Sequence, residues 1–341
     1  NKVLILALSL SFAGPLLWPV KRVPAGGAGI HLMGDSSKGK TTVLAAAASI
    51  WGGPGYVRTW RATANGVEAT AAALNDTTLI LDEISESNPR DVGGIVYALA
   101  NGRGKQRARR TGSIRPAQNW RLMGLSSGER DLPGHMAEGG QLTKAGQESR
   151  LLSIPATRQT YGAFDDLHGH PDGRTFADAI KQAAQKNYGY AGPAFVEALL
   201  ADKRDLPARY ADLQKRPEFQ AEDGQEARAA GWFALIAMAG ELAADCGVVQ
   251  WQSGEALDAA IWGYQAWRNQ RGAGQTEDRQ ILDGIHTFIE RYGDSRFSSA
   301  DSEISIRNRA GYTEEQSNRR VYLFNSHALK EAAGNYQMQR I

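Results

Sequence analysis

Gly34-Asp35-Ser36-Ser37-Lys38-Gly39-Lys40-Thr41 fits the pattern G-x-x-x-x-G-K-[ST], in which a glycine-rich loop wraps nucleotide phosphates with its backbone N–H groups. The apolar run Ile30 to Met33 enters it, and an alanine-rich helical stretch from Thr41 to Ile50 leaves it. A helix start at this place adds its own orphan N–H groups and a favourable dipole for anions. Lys40 is then expected to reach the β- and γ-phosphates. Thr41 is expected to hold Mg²⁺, and Thr42 to complete the nucleotide contacts.

A second cluster lies downstream. Thr77-Thr78-Leu79-Ile80-Leu81-Asp82-Glu83 is a β-branched and aliphatic run ending in two carboxylates. Such a run reads as a buried parallel strand whose C-terminal end opens onto a ligand crevice. Asp82 is expected to anchor the metal and Glu83 to polarise the water that attacks the γ-phosphate. The adjacent acid favours ATP hydrolysis over simple nucleotide binding.

The third feature is cationic. Asn101 to Arg115 carries six basic residues: Arg103, Lys105, Arg107, Arg109, Arg110 and Arg115. No acid occurs between Val92 and Gly128. Glycines near both ends and alternating Lys105, Arg107 and Arg109 suit a two-stranded hairpin with its charges on one face. A hairpin of this kind would grip nucleic-acid phosphates.

These groups need a scaffold. From 29 to about 160, strand signals (Tyr56 to Trp60, Leu79 to Leu81, Trp120 to Leu125) alternate with helical ones (Gly66 to Leu74, Pro89 to Ala100). Alternation of this type means a parallel sheet covered by helices. From Thr175 to about Arg271 the pattern is helical. A helix from Asp278 to Tyr292, a polar irregular part, a strand at Val321 to Phe324 and a helix from His327 to Ala333 follow. The boundaries expected are a packing helix at the domain edge (1–28), an ATPase domain (29–160), an all-α domain (161–275) and a winged-helix-like module (276–341).

Composition sets limits. A chain of 341 residues with 42% hydrophobic and 22% charged residues is ordinary for a soluble globular protein. The net charge of +2 means that nucleic-acid binding has to be argued from local charge. One cysteine, Cys246, excludes an internal disulfide and any cysteine-based metal cluster, as suits a cytoplasmic protein. The apolar run from Val3 to Leu10 is too short to span a membrane before Gly14-Pro15 and reads as a packing helix. The chain begins with Asn, so a piece of a longer protein is expected. Asp165, Asp166, His168, His170 and Asp172 lack a second ligand cluster and read as a polar connection. Trp60 and Trp120 adjoin strands and read as core residues.

Taken together, the chain resembles the "domain of unknown function 927" family of replicative helicases from phages and mobile elements, within the AAA+ and superfamily 3-like ATPases. The resemblance rests on Gly34 to Thr42, Leu81-Asp82-Glu83-Ile84 and Asn101 to Lys105. It continues through Gly146-Gln147-Glu148-Ser149-Arg150-Leu151-Leu152 and Phe233 to Ala243. It implies an α/β fold with an AAA+ (ASCE) P-loop core, ATP and Mg²⁺ as cofactors, and a homo-hexameric ring with single-stranded DNA in its pore. It also implies that the basic segment is the hairpin lining that pore, that Ser126 or Ser127 (Ser127 preferred) is a sensor for the γ-phosphate, and that Arg150 is an arginine finger acting on a neighbour's nucleotide. Arg228 resembles a second sensor, and members often carry an upstream primase-like region. A DNA-packaging or initiator ATPase and a protein-remodelling ATPase remain alternatives. The basic hairpin speaks against the remodeller, whose pore loops need an aromatic-hydrophobic pair.

Overall fold

Ile80 and its neighbours Leu79 and Leu81 face opposite sides of the main sheet, and each side has its own core. Both faces are therefore covered, which explains the continuous apolar run. The computed structural model describes residues 1–21, 26–105, 107–108, 114–115, 117–141, 143, 145–271, 276–299, 301–302, 305–317 and 319–334. In chain order its strands are β1 (Gly27–Met33), β2 (Arg58–Thr59), β3 (Thr77–Asp82), β4 (Arg107–Ala108), β5 (Ile114–Arg115), β6 (Leu122–Gly128), β7 (Leu151–Pro155), β8 (Phe297–Ser299), β9 (Gly311–Gln316) and β10 (Arg319–Phe324).

The main sheet is parallel throughout and runs in the order β2-β3-β6-β1-β7. β6 thus separates β1, which enters the glycine-rich loop, from β3, which ends at Asp82. Expected strands recur with shifted ends: β2 is shorter than Tyr56 to Trp60, and β6 continues through Ser126 and Ser127. β7 was not anticipated, since five residues between Arg150 and Pro155 carry too little pattern to distinguish a strand from a loop.

The helix Lys2–Ala13 is apolar nearly all round, and a helix of that kind must be buried on all sides. It is not at a domain edge. Val3, Leu6, Leu10 and Phe12 are essentially inaccessible and pack in the same core as Ile80, Leu125, Trp232 and Tyr264. The stretch Lys2–Val20 is long and apolar enough to cross a membrane, yet most of it is buried inside the protein. That places it as a core element of this fold.

Two compact units divide the chain at residues 272 and 273. The helices Gly173–Lys186, Ala191–Ala201, Leu206–Gln214, Gly224–Asp245 and Glu255–Arg271 belong to the first unit with the sheet. Their apolar faces complete the core that the helix Lys2–Ala13 begins. Residues 161–271 of the expected all-α domain are therefore continuous with the sheet rather than a body with their own core.

The second unit has the order helix (Thr276–Tyr292), β8, β9, β10, helix (Ser326–Ala332). β8 runs parallel to β9, β9 and β10 form a hairpin, and Phe288, Phe297 and Ala328 fill the centre. This departs from the winged-helix expectation. A winged helix carries helices between its first strand and its hairpin, whereas here the described residues between β8 and β9 contain none and a helix follows the hairpin.

Candidate functional site

β1 delivers the chain to the loop at the C-terminal edge of the sheet, and the helix Lys40–Ser49 carries it away. Gly34 (φ +143°) and Gly39 (φ +95°) adopt backbone conformations that side chains rarely tolerate. A Cβ on Gly34 would also stand 2.0 Å from the Thr157 hydroxyl, and one on Gly39 would meet the Phe164 ring at 2.9 Å. The tight loop is thus clamped from outside by the segment after β7. Lys40 is buried, and its ammonium donates to the carbonyls of Gly34 and Asp35, 2.6 Å each. Burial draws its pKa below the usual lysine value, against the opposing pull of the Glu83, Glu129, Asp35 and Asp82 carboxylates. Asp35, Ser36, Ser37, Lys38 and Thr41 are exposed along the loop, while Thr42 turns inward.

Ser127 and the two carboxylates meet beside this loop. The Ser127 hydroxyl donates to Asp82 Oδ1 and accepts the Glu83 N–H at 3.2 Å. Glu83 sits at φ +56°, a strained conformation costing on the order of 1–3 kcal/mol for a residue with a side chain. Its Oε1 accepts the Ser85 hydroxyl at 2.6 Å and the Ser85 N–H at 3.3 Å. Side chains alternate across a strand, so Ser126 points the other way. There Trp60 Nε1–H donates to Ser126 Oγ at 2.8 Å, and Ser126 lies 2.9 Å from His31 Nδ1. His31 Nε2 gives its proton to the Arg130 carbonyl at 2.8 Å, which leaves Nδ1 to accept from Ser126. Burial pushes the His31 pKa down to about 4.

The loop, Glu83 and Ser127 line one cleft of about 830 Å³, within the roughly 300–1,000 Å³ of small-molecule sites. Its far side comes from residues that sequence reading passed over: Tyr161, Gly162 and Phe164, and then Arg174, Asp178 and Lys181 on the helix Gly173–Lys186. Ala163 N–H donates to the Lys38 carbonyl at 2.8 Å, which ties this turn to the loop. The spacing 174, 177, 178, 181 was a usable signal for one helical face. Nothing local says that the face meets the loop.

Arg150 lies at the opposite edge. It precedes β7, whose Leu151 pairs with Gly29, while the loop begins five residues on at Gly34. At about 3.3 Å per residue that is roughly 16 Å along the strand. The guanidinium stacks 4.5 Å from the Tyr97 ring centre and donates to Gly146 O and, at 3.2 Å, to Asn101 Oδ1. Partial burial, together with the charge of Arg228, draws its pKa below the ordinary arginine value.

β4 and β5 form an antiparallel pair with Arg107 opposite Arg115, as expected of a hairpin. Its base is fixed by the bridge between Arg103 and Asn119, by Gly104 N–H to Gln118 O (2.9 Å) and by Trp120 N–H to Gly102 O (2.9 Å). Arg103 and Lys105 are exposed. Arg109 and Arg110 lie outside the described residues. Asp165 contacts the backbone N–H of Lys2, and Asp172 caps the next helix through Thr175 N–H at 2.7 Å. No cluster of three or more His, Cys, Asp or Glu able to hold a metal occurs among the described residues. Asp82 and Thr41 are oxygen donors of the type Mg²⁺ takes, since it binds through one or two protein oxygens plus phosphates and water.

A family model described as "Domain of unknown function (DUF927)" matches residues 1–119, about a third of the chain. No curated protein matches it in sequence. Among solved structures it is similar to one described as "SCCmec type IV Cch - active helicase", with a TM-score of 0.73 and 18% identity. The match covers 97% of this chain and 60% of that one, so the chain spans less than two thirds of that protein's length. At this identity the likeness establishes a shared α/β fold with a parallel five-stranded sheet and many helices.

Proposed function

We propose that this chain is an ATP-hydrolysing, ring-forming DNA helicase or translocase of the AAA+ type, the replicative helicase of a phage or mobile element acting in the cytoplasm. One observation carries the reading: Lys40, Thr41, Glu83 and Ser127 line a single cleft at the C-terminal edge of a parallel sheet, and Ser127 donates to Asp82 behind it. The insertion of β6 between β1 and β3 supports it, because that strand brings a polar side chain between loop and carboxylates. The likeness to a helicase fold and the family match support it further.

In this mechanism the loop N–H groups and Lys40 bind the triphosphate, and Asp82 with Thr41 would hold Mg²⁺. When bound, Mg²⁺ offsets the charge that develops on the phosphate oxygens. Glu83 accepts a proton from the attacking water, and Ser127 holds Asp82 and the Glu83 backbone in register. Arg150, at the far edge of the sheet, can serve only a neighbour's nucleotide, which makes catalysis depend on a ring, most simply a hexamer. The hairpin carrying Arg103, Lys105 and Arg107, continued by Arg109 and Arg110, grips single-stranded DNA in the pore.

The test is ATPase rate with and without single-stranded DNA, alongside unwinding of forked duplexes with either tail. Stimulation with unwinding supports the proposal. Stimulation without unwinding points to an initiator or packaging ATPase, and no ATPase activity in an assembled ring overturns it.

A further inference from the structure

Beyond the phosphate end, the cleft continues along a charged face that neither the triphosphate chemistry nor the packing uses. Arg174, Ala177, Asp178 and Lys181 stand on successive turns of the helix Gly173–Lys186, all facing the cleft. On the other side of the same helix, Phe176 is buried against Phe164 at 5.1 Å between ring centres. Asp172 caps its first turn. The helix cannot roll, so this charged stripe is held toward the cleft. Neither Asp178 nor Lys181 makes a hydrogen bond or ion pair among the described residues.

Tyr161 forms the lip. The residue is 47% exposed, yet its backbone is held by Phe164 through Tyr161 N–H to Phe164 O at 2.9 Å. Gly162 beside it packs so closely on the loop that a Cβ there would lie 2.6 Å from the Lys38 carbonyl. A second, mostly apolar cleft adjoins the first and shares Thr41 and Lys181 with it, with Ala45, Pro54 and Val57 in its wall.

Asp178 decides the chemistry. Set between Arg174 and Lys181 on the same face, its carboxylate is the acceptor at this end of the cleft, suited to a group that donates hydrogen bonds. We propose that it is a nucleoside subsite: Asp178 accepts from the ribose hydroxyls, Tyr161 covers the face of the base, and Lys181 borders the base from the adjoining cleft. The inference rests on the nucleotide reading above and adds the residues that distinguish a nucleotide from bare phosphate.

Calorimetric titration with ADP, 2′,3′-dideoxy-ADP and pyrophosphate, each with Mg²⁺, tests it without any turnover. Tyr161→Ala should weaken ADP roughly tenfold, as loss of one base–aromatic stack does, and leave pyrophosphate unchanged. Asp178→Ala should weaken ADP severalfold and leave the dideoxy nucleotide unchanged, because that ligand lacks the hydroxyls. Pyrophosphate also reports that each variant retains an intact loop. If both variants bind ADP as the parent does while Lys40→Ala loses it, the subsite is wrong and the nucleotide reading stands. Equal loss of ADP and pyrophosphate in Tyr161→Ala and Asp178→Ala overturns the subsite in favour of a structural role. Failure of the parent chain to bind either ligand overturns both.

Discussion

Ser127 holds Asp82: its hydroxyl donates to the carboxylate and at the same time accepts the Glu83 N–H. One side chain on β6 thereby registers both acids at the end of β3. Ser127→Ala should lower turnover by one to two orders of magnitude. It should also destabilise the fold by about 1 kcal/mol, since it leaves a half-buried acceptor and donor short of a partner. Steady-state ATPase assays and urea denaturation check the two effects separately; parent-like turnover would remove Ser127 from the site.

Lys40→Ala and Glu83→Gln should fail differently. The first removes the cation paired with the phosphates and should lose nucleotide binding. The second keeps the shape and Asp82, so nucleotide should still bind while hydrolysis falls by several orders of magnitude. Equilibrium binding and single-turnover kinetics on the two variants make the comparison. Near-normal hydrolysis by Glu83→Gln would assign the base elsewhere.

On the hairpin, Lys105→Ala with Arg107→Ala should leave basal ATPase largely intact and abolish stimulation by DNA. Each lost phosphate contact lowers the slope of log affinity against log salt by about 0.7 for single strands. Fluorescence anisotropy across a salt series measures this. An unchanged slope would move the DNA contacts to another surface.

Arg150→Ala should still bind nucleotide and hydrolyse it poorly, by a factor of roughly 10³ or more. Mixing it with Lys40→Ala should restore part of the activity, because a mixed ring sets intact Lys40 beside an intact Arg150. A demonstrably mixed ring without recovery would contradict a trans-acting finger.

His31 gives a pH signature. Its pKa of about 4 lies below the ordinary value of 6.5, so the unfolded chain binds the extra proton first as pH falls. Stability should be fully present above about pH 6.5, decline through the window down to pH 4, and level off below. The His31 contribution is about 3 kcal/mol. His31→Gln keeps both hydrogen-bonding roles without the titration, so the difference in urea midpoint between it and the parent should shrink or invert toward pH 4. Parallel midpoints across the window would refute the assignment.

Local pattern was enough for the loop, the two acids and the basic hairpin, because each depends on residues adjacent in sequence: glycines where φ must be positive, an aliphatic run ending in Asp82-Glu83, alternating cations between glycines. It was also enough for Trp60 and Trp120, both of which are buried. Tertiary structure alone decided which serine faces the acids, since a one-residue shift in the pleat exchanges Ser126 for Ser127. It placed the helix Lys2–Ala13 at the centre of the core, because only the burial of all its sides by distant helices distinguishes a core helix from an edge one. It made β7 a strand through pairing with β1, and β9 a strand despite a polar sequence exposed to solvent. And it brought Tyr161, Asp178 and Lys181 to the glycine-rich loop across more than a hundred residues, a proximity set by strand order and helix packing that no local spacing encodes.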